Sequence, residues 1–202
     1  VISGGLTSDE AVAAAAALFG DWVTDNAPGR IVDDGAGEAS PPRTIVVDMP
    51  GAGQAAVYAA LRAPSRGAEN FDALQIANAV LGGGSSGRLF EEIRTKRSLS
   101  YGAYSRITGR KDGSLLTARS QTRNDAADEV AAIMLDEIAR LNAEGLDEGL
   151  LERRRMYLQG SYARVMETSA GFNAIVSGLL LHGLPASDAM ITARRLAAVD
   201  AD

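Results

Sequence analysis

The sequence predicts an α+β fold, a mostly antiparallel sheet with helices packed on one face, in a single domain over residues 1–202. Three observations carry this. Strand-like runs fall early in the chain and helical runs dominate from Asn124 onward, which is the order of segregated elements and not of alternating βαβ units. The runs Tyr101–Thr108 and Ser114–Thr122 are joined across Arg110-Lys111-Asp112-Gly113, whose Asp-Gly pair suits a hairpin turn. With 202 residues and 46% hydrophobic content, the chain has material for one sizeable core.

Taken in order, the chain enters on a strand at Val1-Ile2. Thr7-Ser8-Asp9-Glu10 then has capping-box spacing, and Val12, Ala15, Ala16 and Phe19 follow at helical period until Gly20. From Thr24 to Pro42 the composition turns to Pro, Gly and Asp without periodicity, a long surface connection. Arg43–Asp48 and Gln54–Arg62 read as strands flanking the turn Pro50-Gly51. Asn70 caps a helix running to Leu81, Gly82-Gly83-Gly84 stops it, and Ser85 or Ser86 caps another through Leu89, Phe90 and Ile93. After the hairpin, Asn124 caps a helix whose Ala127, Val130, Ala131, Met134, Leu135, Ile138 and Leu141 share one face, a core-packing stripe ending at Gly145. Leu146–Ala163, Ser169–Leu181 and Ser187–Val199 continue in helix.

Composition narrows function. A net charge of −6 gives no general attraction to phosphate backbones or anionic membranes, so neither nucleic acid nor membrane is an expected partner. No run of about eighteen apolar residues is present, and the first residues lack a secretory-signal layout. The start without Met, directly on a strand, reads as a fragment or processed product of a longer protein, which leaves the compartment open, periplasm or cytoplasm. Zero Cys excludes disulfides and thiolate metal sites. Charge is uneven: Arg88, Arg94, Lys96, Arg97, Arg106, Arg110 and Lys111 face only Glu91 and Glu92, either a solvated face or a local site for carbonyls and carboxylates.

Most chemical motifs fail on their context. The triple glycine follows a helix and has neither a Walker lysine nor Rossmann spacing, so it reads as a tight helix-to-helix turn before a phosphate cradle. His182, the only histidine, sits at the end of an apolar helix. One His and no Cys cannot supply the three side-chain ligands of a catalytic zinc, so no metal is expected in this chain. There is no G-x-S-x-G elbow, and no carboxylate pair stands out for glycosidase chemistry.

The run Leu81-Gly82-Gly83-Gly84-Ser85-Ser86-Gly87-Arg88-Leu89-Phe90-Glu91-Glu92-Ile93-Arg94, continuing Thr95-Lys96-Arg97-Ser98-Leu99-Ser100-Tyr101, resembles the signature of the C-terminal half-domain of pitrilysin/insulinase-family zinc metallopeptidases, the inverzincins. Weaker similarity extends from the opening strand and Phe19-Gly20-Asp21-Trp22 through Pro50-Gly51-Ala52-Gly53-Gln54 to the helical tail. The resemblance implies a processing-peptidase-like half-domain that closes, clamshell fashion, with a homologous half carrying an inverted H-x-x-E-H zinc site. Zinc is then expected on that partner half-domain, in the same chain or another, and a peptide is the expected substrate. The family's Arg/Tyr pair falls on Arg94 and Tyr101, which implies a catalytic and substrate-binding role for both.

The chemistry of the two side chains suits such a role. A permanently charged guanidinium and a phenol together offer donors for a substrate carbonyl and for the oxyanion that forms on attack. The plain alternative is a solvated helix arginine and a strand tyrosine packed on the sheet. Where the family has Gly and often a small apolar residue, this chain has Ser98 and Ser100, which bears on the aim of Tyr101. The sequence therefore predicts the substrate-binding, non-zinc domain of a zinc metallopeptidase assembly, not an enzyme in isolation. The alternative is a non-catalytic structural or interaction subunit of the same fold.

Overall fold

The computed structural model describes residues 1–22 and 41–200; nearly all of the expected Thr24–Pro42 connection lies outside them. The described elements are α1 (Ser8–Phe19), β1 (Ala55–Ala63), α2 (Phe71–Leu81), α3 (Arg88–Phe90, continued by a π-helical turn over Glu91–Thr95), β2 (Ser100–Thr108), β3 (Ser114–Thr122), α4 (Ala127–Glu144), α5 (Glu148–Met166), α6 (Ser169–Leu181) and α7 (Asp188–Ala197). The strands form one antiparallel sheet in the order β1-β3-β2. The α+β class is as the sequence predicts.

Strand alternation decides which face holds the core. Val57, Ala59, Ala103, Leu116 and Ala118 point to one side, where they meet Leu81, Leu89, Ile93, Val130 and Met134 from α2, α3 with its π turn, and α4. Leu81, Leu89, Val130 and Met134 are fully buried, each worth about 1.5–3 kcal/mol of transfer free energy. The predicted apolar stripe of α4 makes this contact through Val130, Met134, Ile138 and Leu141, while Leu135, expected on the same face, is 60% exposed. A second cluster (Ile76, Leu151, Leu196) and a third (Val176, Leu179, Ala189) tie α2, α5, α6 and α7 together.

Glycines let α2 dock on the sheet. A Cβ on Gly82 would lie 2.4 Å from the Ser105 nitrogen, and the Gly82 carbonyl accepts a hydrogen bond from that nitrogen at 2.9 Å. A Cβ on Gly87 would lie 2.8 Å from the Gly82 Cα, so the turn between α2 and α3 closes backbone against backbone.

Several local expectations change. Arg43–Asp48 pairs with no strand among the described residues, and Ile45, Val46 and Val47 are 68%, 86% and 75% exposed. Its apolar run has strand propensity, but a strand exists only through a ladder, and this one has no partner there. Val1-Ile2 likewise lies outside the sheet. The capping box on α1 forms as expected, with Glu10 receiving the Thr7 backbone N–H at 2.7 Å, yet no α1 residue is buried. Neither Asn124 nor Ser86 caps a helix: the Asn124 amide donates to the Ala52 carbonyl at 3.0 Å, and the Ser86 hydroxyl accepts from Arg154. The chain enters α4 through a 3₁₀ turn at Asn124–Ala126, and Gly87 takes the cap position of α3.

Candidate functional site

β2 is an edge strand, and α3 with its π turn runs beside it, so a side chain leaving that turn can reach the rim of the sheet's uncovered face. Arg94 does so. Its guanidinium stands 4.4 Å from the Tyr101 ring centroid and 5.3 Å from that of Phe90, and its Nη1 donates to the Tyr101 backbone carbonyl. The two predicted site residues are therefore in contact and share one surface; Tyr101 is 86% exposed. Held between two rings and one carbonyl, the guanidinium has a fixed position and keeps further N–H donors for a ligand.

Two local devices set this geometry. The first is a register shift: Ser100 faces Thr122 but Ala103 faces Ser120, so β2 spends three steps where β3 spends two. Such a bulge reverses the facing parity of the strand. Without it Tyr101 would share a side with Ala103 and Ser105, which are buried; with it Tyr101 shares the open face with Tyr104. Ser100 secures the bulge, its hydroxyl accepting the Gly102 N–H at 3.1 Å and donating to the Gln121 carbonyl at 2.5 Å. Ser120 donates to the Gly102 carbonyl at 2.9 Å. Gly102 leaves room for the Tyr104 ring, which a Cβ there would meet at 2.7 Å and push aside.

The second device is the end of the π turn. Ser98 donates its N–H to the Arg94 carbonyl at 3.0 Å, and Leu99 to the Ile93 carbonyl at 2.9 Å. Closing the chain this way puts Ser98 at φ 53°, the one non-glycine residue with positive φ among the described residues. This left-handed position is one that glycine normally fills, so the departure noted in the sequence leaves the turn in place and stores strain beside the site.

The basic run resolves into partnered and free charges. Lys96 and Arg97 both grip the Glu92 carboxylate at 2.5 Å, and their hydrogen bonds hold it below the usual carboxylate range. Arg88 stands 3.7 Å from Glu144. Arg94 and Arg106 have no carboxylate among the described residues. Arg154 is buried and also without an acid; it ties the Ser86 hydroxyl at 2.8 Å and holds the turn after the triple glycine, and burial pushes its pKa down.

No set of three or more His, Cys, Asp or Glu side chains among the described residues could hold a metal. His182 ends α6 as expected, with Nδ1 2.6 Å from the Gly178 carbonyl and Nε2 3.1 Å from the Gly109 carbonyl. The described residues therefore do not fit a zinc site. No described helix is long and apolar enough to cross a membrane.

A cavity of about 650 Å³ opens beside Tyr101, lined among others by Gln54, Tyr58, Tyr101, Tyr104, Arg119 and Gln121; Arg94 stands behind the Tyr101 ring and does not line it. Tyr58, Tyr104 and Arg119 were not singled out in the sequence. The signal that finds them is the alternation of three strands taken in register, which depends on the bulge and so on pairing.

Comparison with known proteins adds an independent line. The family described as the peptidase M16 inactive domain matches residues 1–158. An uncharacterized zinc protease of Streptomyces coelicolor is 36% identical over 112 residues, 55% of this chain and 24% of the relative, so the chain spans about a quarter of that protein's length. A protease of Helicobacter pylori superposes with a TM-score of 0.80 at 16% identity, covering 97% of this chain and 47% of that one. A peptidase M16 inactive domain from Pseudomonas fluorescens gives a TM-score of 0.67 at 24% identity over 73% of this chain and 35% of that one. These two likenesses show a shared fold.

Proposed function

The chain belongs to the peptidase M16 inactive-domain family, and from that premise we propose that it is the substrate-holding half of a zinc peptidase. In this reading Arg94 and Tyr101 grip the peptide while a homologous zinc-bearing half-domain, in the same polypeptide or a partner, supplies the hydrolytic chemistry. The observation that carries the reading is the contact itself, a guanidinium 4.4 Å over an 86% exposed phenol ring at the mouth of a cavity of about 650 Å³.

The roles divide by donor type. Arg94, pinned by the Tyr101 carbonyl and stacked between two rings, presents charged N–H groups toward a substrate carbonyl, and these interactions strengthen as negative charge develops on that oxygen. Tyr101 adds a neutral O–H donor to the same oxygen and walls the cavity with its ring. Because both are placed before substrate arrives, little reorganisation is needed at the moment of reaction.

The test replaces Arg94 with Ala and Tyr101 with Phe together in the assembled peptidase and follows peptide cleavage. Loss of such donors costs on the order of 100-fold or more in turnover. Unchanged turnover with the fold intact removes the role and leaves the chain as a structural or interaction subunit of the same fold.

A further inference from the structure

We infer that the uncovered face of the sheet is a carboxylate-reading subsite: Arg119, framed by Tyr58 and Tyr104, receives an acidic group of the bound peptide. The inference rests on the peptide-holding role proposed above and adds a substrate class to it.

Register brings these three side chains into one row. Tyr58 on β1 and Tyr104 on β2 both face Arg119 on the central strand, and all three are exposed on the side away from the helices. Side chains directly opposite in an antiparallel pair have Cβ atoms about 5 Å apart, so Arg119 has a tyrosine on each neighbouring strand; the Tyr104 ring leans along β2, over Gly102 and against Phe90 with ring centroids 5.9 Å apart. The same three residues line the cavity that Tyr101 enters.

Charge points to the ligand. The three strands contain no Asp or Glu, while their exposed positions carry Arg62, Arg106 and Arg119 in a chain of net charge −6. Arg119 makes no hydrogen bond or ion pair among the described residues, although partners are found for Lys96, Arg97 and Arg140 elsewhere on the surface. The planar fork of Arg119, with five N–H donors, matches a carboxylate, which offers acceptors only. Tyr and Arg clustered in a concavity are also the residues that dominate binding energy at recognition surfaces.

Spacing fixes where the acid sits. Arg119 lies about 8 Å from Tyr101, taking one strand spacing across and two residues along. An extended peptide advances about 7 Å in two residues and returns its side chain to the same side. The acid is therefore about two residues from the carbonyl held at Arg94 and Tyr101. An internal Asp or Glu and a free C-terminal carboxylate present the same chemistry there.

Equilibrium binding tests this, using the assembled peptidase with metal chelated so that nothing is cleaved. Fluorescently labelled, end-blocked decapeptides scan a single Glu, each paired with its Gln counterpart, and one all-Gln peptide is left with a free C-terminal carboxylate. At the matching position, or for the free terminus, the acid binds about ten-fold more tightly by anisotropy. Arg119→Gln brings that ratio close to one, and Arg119→Lys keeps part of it because charge remains while the fork is lost. Whichever peptide loses its advantage in Arg119→Gln identifies the source of the carboxylate. Equal binding of acid and amide at every position, or a preference that survives Arg119→Gln, overturns the inference. If instead the Arg94 and Tyr101 variant cleaves normally while Arg119→Gln abolishes the preference, the subsite stands and the peptide-holding role at Arg94 and Tyr101 falls.

Discussion

The two faces of one sheet divide the work of this domain. On the covered face, Val57, Ala59, Ala103, Leu116 and Ala118 meet α4 and supply stability. On the open face, Tyr58, Arg119, Tyr104 and Tyr101 are exposed, lie outside the core clusters and line the cavity. The difference comes from the two-residue period of a strand, and from the single point where that period is broken, the bulge that turns Tyr101 outward. Adjacent residues such as Val57 and Tyr58 thus have similar backbones and opposite surroundings.

The comparison breaks first on the covered face. Met134→Ala removes a fully buried side chain beneath the sheet and costs about 2–5 kcal/mol, read as a lower denaturant midpoint at unchanged m-value. The preference among peptide ligands should not move with it, because no open-face group has changed.

Ser100→Ala strikes the hinge between the faces. The Gly102 N–H and the Gln121 carbonyl each lose a partner, a cost of about 1–3 kcal/mol. If the bulge sets the aim of Tyr101, turnover should fall by more than that stability loss explains at temperatures where the variant is fully folded.

Ser98→Gly runs the other way. Relief of the left-handed strain at φ 53° is partly offset by the greater freedom of glycine in the unfolded chain, a net gain of about 0.5 kcal/mol. Thermal unfolding should therefore shift up by about 1–2 °C.

The smallest effect concerns pH. Glu92 is held below the usual carboxylate range by hydrogen bonds from Lys96 and Arg97, so its contribution is complete above the unfolded value and lost as pH falls through the folded one. Stability of Glu92→Gln should show a shallower acid dependence below about pH 4.5 than the unsubstituted chain.

The sequence carries the two faces unequally. Helix and hairpin positions follow from periodicity: Ser114–Thr122 and Ser169–Leu181 fall where the pattern puts them, since amphipathic spacing reports burial directly. Arg94 and Tyr101 stand out in the sequence only through the family resemblance of the run from Leu81 to Tyr101, and the structure adds that the two side chains touch. Tyr58, Arg119 and Tyr104 are not, because Tyr58 joins the other two only by pairing of β1 with β3, where Tyr58 and Arg119 are 61 residues apart in sequence, and the parity of the hairpin depends on the bulge. Arg43–Asp48 fails for the complementary reason: three apolar residues in a row give propensity, while a ladder needs a neighbour.

The central claim is that Arg94 and Tyr101 act as one unit on the substrate carbonyl, and a double-mutant cycle on peptide hydrolysis tests it most directly. With Arg94→Ala, Tyr101→Phe and the double variant in the assembled peptidase, each single change should lower kcat by about 100-fold, and the double should cost far less than the product of the two. Independent effects that simply multiply, or singles that leave kcat untouched, would contradict it.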